Sequence, residues 1–308
     1  MKSDPLPSWN DTKPKKNIFD YVNLVIDKTS PDFIKPSERI VTIDNDGTLW
    51  SEKPFYFQFQ FAMDRIKAIA PDHPEWKDDP LFNAAIENDI NKIAGSGKEG
   101  LIKLLLASHS GMTTVEFENS VTEWINTAKH PKTNKLYKEM VFLPMLELLE
   151  YLKENDFIIY IVSGGGIEFM RAWVEEVYSI PPERVMGSSI KVKFEMRDEG
   201  PVLLRLPEIN FVDDNEGKPV GIHQFIGNIP AVSVGNSDGD LEMMQWTASG
   251  KGKKFMLYIH HTDDVREWAY DKDSYVGRFD KGLVEAAKNG WTVVDMKNDW
   301  KVIFPFDK

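Results

Sequence analysis

The stretch Arg39-Ile40-Val41-Thr42-Ile43-Asp44-Asn45-Asp46-Gly47-Thr48-Leu49 decides how the rest of the chain is read. A short, β-branched apolar run that stops at carboxylates reads as a strand buried on both faces, as in a parallel sheet. Two carboxylates two residues apart leave the strand end together, and Gly47 lets the chain turn sharply. Oxygens placed this way suit a hard cation such as Mg²⁺, which takes few protein ligands and keeps positions for phosphate and water. An Asx turn closing a buried strand is the plainer reading of the same residues.

The figure recurs downstream. Phe157-Ile158-Ile159-Tyr160-Ile161-Val162 leads into Ser163 and three glycines, and Ala231-Val232-Ser233-Val234-Gly235 leads into Asn236, Ser237, Asp238, Gly239 and Asp240. A fourth run, Phe255-Met256-Leu257-Tyr258-Ile259, ends at His260 and His261. Helical patterns over Pro144–Asn155, Ile167–Val177 and Pro219–Ile226 separate the runs, and an amphipathic helix over Ile18–Lys28 precedes them. This alternation predicts an α/β fold with a Rossmann-like, doubly wound parallel sheet, whose ligands bind beyond the carboxyl ends of the strands. The polar clusters sit at that edge.

The stretch 53–143 breaks the rhythm. It holds helical patterns only, including a capping box at Thr113-Thr114-Val115-Glu116, and it is too long for an ordinary crossover. It reads as a helical cap inserted into a core made of 17–52 and 144–308. Residues 1–16 read as an irregular arm. A hairpin is expected over Ile190–Phe194 and Val202–Leu206.

Composition narrows the function. With no Cys in 308 residues, disulfides, thiolate metal sites and a cysteine nucleophile are excluded. A formal net charge of −12 disfavours nucleic acid and anionic membranes as partners. Nothing approaches the roughly 18 consecutive apolar residues of a bilayer span. The N-terminus carries no apolar signal segment. A soluble chain is expected, cytoplasmic, or periplasmic or secreted if a leader was removed; oligomeric state stays open. An EF-hand reading fails: Gly and Glu are needed at the sixth and twelfth loop positions. Counted from Asp44 those are Leu49 and Phe55, and from Asn236 they are Leu241 and Thr247.

In the order and spacing of four segments the sequence resembles the haloacid dehalogenase-like hydrolases, in particular the phosphoserine-phosphatase-like phosphatases. Asp44-Asn45-Asp46-Gly47-Thr48 matches the first motif, Ser163 the second, Lys218 in Gly217-Lys218-Pro219 the third, and Gly235 to Asp240 the fourth. The resemblance implies a Mg²⁺-dependent phosphomonoester hydrolase acting on a small phosphorylated metabolite. Asp44 would be the nucleophile that forms an aspartyl-phosphate, and Asp46 the general acid and then base. Ser163, the amides of Gly164 and Gly165, and Lys218 would hold the phosphoryl group, with Lys191, Lys193 and Lys251 as rivals to Lys218. The metal would lie among Asp44, Asp46, Asn236 and Asp240, with Asp238 in reserve. Asn236 departs from the family, whose members commonly carry Asp there; an amide oxygen brings no charge. A phosphomutase using the same nucleophile, or an attenuated phosphate-binding protein, would share these features. Substrate choice would reside in the cap, where Phe55, Tyr56, Phe57, Phe59 and Phe61 read mainly as core. His260 and His261, being adjacent, read as structural.

Overall fold

A computed structural model describes residues 4–307. Its sheet has seven strands: β1 (Ile40–Ile43), β2 (Ile158–Gly166), β3 (Val185–Arg197), β4 (Gly200–Phe211), β5 (Val232–Gly235), β6 (Phe255–His260) and β7 (Thr292–Asp295). They lie in the order β4-β3-β2-β1-β5-β6-β7, every neighbouring pair parallel except β3–β4. This is the expected doubly wound α/β sheet. The chain builds outward from β1 to one side, then crosses to β5 on the other, so the switch point lies between β1 and β5. Asp44 and Asn236 follow those two strands directly.

Alternating side chains feed the two faces of the sheet. Val41, Ile43, Ile159, Ile161, Val232, Val234, Leu257 and Ile259 join one large apolar cluster. It is covered by α1 (Lys13–Ile26) and by Met145, Leu148, Leu149 and Leu152, which belong to a helix before β2. Val162 and Met186 join Ile222 and Met243 on the opposite face, and Tyr258 packs there with Met244 and Phe279. On this second face Thr42 and Ser233 are buried polar residues. Their hydroxyls bond each other at 2.7 Å, and Ser233 bonds Thr247 at 2.6 Å, so neither of the two is stranded in the core.

Between β1 and β2 the chain is helical: α2 (Phe57–Ile69), α3 (Pro80–Ile86), α4 (Ile90–Gly95), α5 (Gly97–His109), α6 (Thr114–Thr127) and α7 (Leu143–Glu154). The Thr113–Glu116 capping box forms and opens α6. Phe55, Met63, Ile66, Trp76, Phe82 and Leu104 build an apolar cluster separate from the main one, whereas Phe117, Val121 and Trp124 of α6 pack into the main core. The aromatic run therefore divides. Phe55 belongs to the small cluster, Phe57 and Phe61 to the main one, and Tyr56 and Phe59 line a cavity.

Several boundaries differ from the sequence reading. The N-terminal arm is packed: Leu6 and Trp9 are fully buried, the Trp9 indole N–H donates to the Pro144 carbonyl, and α1 begins at Lys13. Anchors separated by prolines show no periodicity, which is why the pattern misses them. The helix expected over Ile167–Val177 is two short pieces, α8 (Ile167–Arg171) and α9 (Val174–Tyr178); at the break Trp173 stacks on Trp50. The hairpin is longer than expected, because β3 is also a parallel partner of β2. The remaining helices are α10 (Gly217–Phe225), α11 (Leu241–Ala248), α12 (Lys281–Asn289) and α13 (Met296–Asp299). Strand β7 has only two apolar residues, Val293 and Val294, and gave no signal in the sequence.

Candidate active site

The strand ends bring together residues far apart in the chain. Lys218, from the first turn of α10, is buried with its ammonium 2.7 Å from Asp44 Oδ1, 2.6 Å from Asp240 Oδ1 and 3.0 Å from the Val162 carbonyl. Burial works against its charge, but the ion pairs with Asp240 and Asp44 outweigh that and hold its pKa above the ordinary lysine value. The rivals are elsewhere: Lys191 and Lys193 lie exposed on the hairpin, paired with Glu208 and Glu195, and Lys251 is exposed. Burial pushes the Asp44 carboxyl up, with Lys218 opposing it and the neighbouring carboxylates adding to it.

Asp46 turns the other way. Its Oδ1 accepts the Trp50 indole N–H at 2.9 Å, and its Oδ2 lies 3.5 Å from the Ser163 hydroxyl. Burial raises its pKa also. Ser163 Oγ accepts from the Gly165 amide at 3.1 Å. A Cβ on Gly165 would stand 3.3 Å from Asp46 Oδ2, so the glycine keeps β2 close to that carboxylate. The three glycines continue β2 rather than opening a long helix, and α8 is a single short piece. The Gly166 amide is already taken at 2.6 Å by the Gln58 side chain.

The fourth segment folds over itself. Asp240 Oδ2 accepts the amides of Asn236 and Ser237 at 2.9 and 3.1 Å, while its Oδ1 faces Lys218. Both oxygens are thus engaged in holding the lysine and the loop. Asp238 caps the turn before α12, accepting the Asp280 and Gly282 amides. Asn236 is buried: its Oδ1 accepts from Thr48 at 3.2 Å and its Nδ2 donates to Glu52 Oε1 at 2.9 Å. Asp44 Oδ2 also lies 3.5 Å from the Thr48 hydroxyl, so the Asp44 and Asn236 oxygens face one point. Among the described residues no group of three or more Asp, Glu, His or Cys side chains is spaced to hold a metal ion. Asp44, Asp46 and Asp240 are therefore not grouped as metal ligands by themselves, and the Asn236 oxygen meets Asp44 only across the Thr48 hydroxyl.

Glu52 lies in this site and was missed by the sequence reading. It is buried, and its Oε1 receives both the Asn236 amide and the Tyr270 hydroxyl, the latter at 2.7 Å. A Cβ on Gly47, whose φ is +75°, would overlap Asn236 Nδ2 and Glu52; only glycine fits where the loop closes on this pair. Burial raises the Glu52 pKa well above the usual carboxylate range, opposed by the Tyr270 hydrogen bond and reinforced by Asp46. His261 supports the loop from behind. Its Nε2–H donates to the Gly47 carbonyl at 2.7 Å, and its Nδ1 meets Glu267, which also accepts the Ser51 hydroxyl. His260 packs against Phe279 instead, so the two histidines do part. Arg171 is bound to the Pro182 and Val185 carbonyls, away from the site.

No family model and no curated protein matches the sequence. Solved structures do match. A functionally unknown protein of Anaerococcus prevotii aligns at a TM-score of 0.59 and 14% identity, over 95% of this chain and 94% of that one. A protein of unknown function from Bordetella pertussis aligns at 0.53 and 16% identity, over 84% and 99%. These two likenesses establish a shared fold along nearly the whole chain. A phosphoserine phosphohydrolase-like protein from Francisella tularensis aligns at 0.42 and 16% identity, over 82% and 99%.

Proposed function

We propose that the chain is a phosphomonoester hydrolase of the haloacid dehalogenase-like kind. One observation carries this reading: the buried Lys218 ammonium clasped between Asp44 and Asp240 at the switch point of the sheet, with Asp46 and Ser163 beside it. A lysine there neutralises both the attacking carboxylate and the phosphoryl oxygens that approach it.

In this mechanism an Asp44 carboxylate oxygen attacks phosphorus, the bond from phosphorus to the ester oxygen breaks, and an aspartyl-phosphate forms. Asp46, protonated, gives its proton to the departing alcohol. It then takes a proton from the water that attacks the aspartyl-phosphate, which returns Asp44 and releases inorganic phosphate. Trp50 fixes the orientation of Asp46, and Ser163 with the Gly164 amide positions the phosphoryl group, the Gly165 and Gly166 amides being already bonded to Ser163 and Gln58. The helices of 53–143 act as a cap over this centre, setting what alcohol enters.

Asp44 and Asn236 have the donor chemistry to hold Mg²⁺, since both oxygens face the Thr48 hydroxyl and such an ion keeps several waters. When bound, the ion would supply positive charge against the phosphoryl oxygens. The carboxyl of Glu52 stands beside Asn236, accepting its amide N–H.

The test is phosphate release from p-nitrophenyl phosphate and a panel of alkyl phosphates, with Mg²⁺ and with a chelator, for wild type and Asp44→Asn. Release that needs both Asp44 and the metal is expected. Wild type that is silent across the panel would sink the proposal.

A further inference from the structure

Behind the loop that carries Asp44 and Asp46 lies a buried pair that the proposed reaction does not touch. His261 follows β6, Glu267 comes shortly after it, and neither lines the cavity. His261 Nε2–H donates to the Gly47 carbonyl at 2.7 Å, and Nδ1 stands 3.1 Å from Glu267 Oε2. Glu267 also accepts the Ser51 hydroxyl at 2.5 Å on Oε1 and the Trp268 amide at 2.7 Å on Oε2. The imidazole is stacked on the Tyr270 ring, centroids 4.4 Å apart, and the Tyr270 hydroxyl donates to Glu52. One short segment, 261–270, thus grips the loop at Gly47, Ser51 and Glu52.

The hydrogen count makes this grip depend on both partners. A carbonyl only accepts, so Nε2 carries a hydrogen. Nδ1 and Oε2 cannot face each other as two lone pairs in a buried site, so a second proton lies between them. A neutral ring with an acceptor on each side has one N–H too few. The grip matters because of what hangs on Gly47. That residue follows Asp46 directly, its amide donates to the Trp50 carbonyl at 2.9 Å, and the Trp50 indole N–H donates to Asp46 Oδ1. Resting on the hydrolase reading above, we infer that His261, held by Glu267, is a positioning residue: it fixes the Gly47 turn and, through it, the direction in which the Asp46 carboxyl gives and takes its proton.

Two variants test it. Glu267→Gln keeps the size of the side chain, but its carbonyl oxygen is needed by the Trp268 amide and then faces Nδ1, so the ring must serve two acceptors without a carboxylate beside it. His261→Phe keeps a ring over Tyr270 and loses both hydrogen bonds. On the best ester of the panel above, kcat should fall about 10–100-fold in each with KM changed by no more than about twofold, the cost of a small misplacement remote from the chemistry. A second readout needs no turnover. In protein labelled with ¹⁵N at tryptophan, the Trp50 indole N–H signal, identified by its loss in Trp50→Phe, should shift in both variants. The signal of Trp246, on the opposite face of the sheet, should stay. A Trp50 signal unmoved in both variants, or a shifted one with kcat unaltered on an ester that wild type hydrolyses, overturns the inference and leaves the hydrolase reading intact. A shifted Trp50 signal in a protein that releases phosphate from no ester keeps the grip on the loop and overturns the hydrolase reading instead. Should His261→Phe fail to fold, Glu267→Gln decides alone.

Discussion

The edge of the sheet at β1 and β5 and the helical wall at α2 and α5 face each other across one cavity and are built in opposite ways. At the sheet edge charge is buried at close quarters: Asp44, Asp240 and Lys218 share contacts, and Glu52 bonds Asn236, in pairs separated by up to 184 positions in the chain. In the wall, polar groups are few and the apolar cluster behind it is drawn almost wholly from Phe55 to Leu104, with Val276 added. The first arrangement has one low-energy geometry, because each buried charge is costly if its partner moves. The second is held by contacts that tolerate exchange of one apolar residue for another. Under the hydrolase proposal, the reaction is assigned to the sheet edge and the choice of alcohol to the wall.

The sharpest way to break the comparison is to damage the sheet edge without disturbing the wall. Asp46→Asn removes the proton donor and keeps the shape, so turnover should fall by about 10²–10⁴ with substrate affinity little changed. Comparing kcat with the affinity for a product alcohol separates the two. Normal turnover in that variant would place the acid elsewhere. Next in size is Lys218→Met, which leaves Asp44 and Asp240 buried and facing each other. A loss of about 3–5 kcal/mol of stability is expected, read by denaturant unfolding. An unaltered midpoint would show that the pair is not held as tightly as the 2.6–2.7 Å contacts imply.

A smaller effect tests the departure at Asn236. With Nδ2 donating to Glu52, Asn236→Asp would set two buried carboxylates against each other. Without metal this should cost about 1–3 kcal/mol, and Asn236→Asp combined with Glu52→Gln should recover most of it, because the donor is then on the other side. Thermal unfolding in a chelator reads both. With Mg²⁺ present the single variant should regain stability through ion binding. Additive losses in the double variant would mean that the 2.9 Å contact does not couple the two residues.

These experiments turn on residues of unequal legibility. Asp44, Asp46 and Ser163 could be picked out because each follows a run of buried strand, whereas Lys218 was singled out through the family resemblance, ahead of three rival lysines. Strand ends were legible for the same reason. Glu52 and Gln58 were not. Gln58 is a single polar residue in an aromatic run and Glu52 one of three polar residues before it, and the meaning of each comes only from a partner contributed by another strand end, Gly166 for the first and Asn236 for the second. The division of 53–143 between two apolar clusters was hidden likewise, since amphipathic spacing shows that a helix has a buried face and not which core receives it. Strand β7 and the packed N-terminal arm lacked periodicity altogether.

The smallest expected effect concerns a carboxyl beside the sheet edge that takes no part in the clasp. Asp213 is fully buried with neither oxygen hydrogen-bonded, and burial pushes its pKa up to about 7, opposed by Lys218 and reinforced by Asp214. Its folded pKa is therefore raised above that of the unfolded chain. The folded form binds the extra proton, so the stabilisation is complete below the unfolded pKa and is lost as pH rises through about 7. Between pH 5 and pH 6 this one group lowers stability by at most about 1.4 kcal/mol. Asp213→Asn mimics the protonated acid and removes that slope, leaving the rest of the pH profile in place. Urea unfolding of both proteins at the two pH values measures it. Parallel profiles would mean that Asp213 is ionised in the folded protein, and that the lysine clasp reaches further than the Asp44–Asp240 pair.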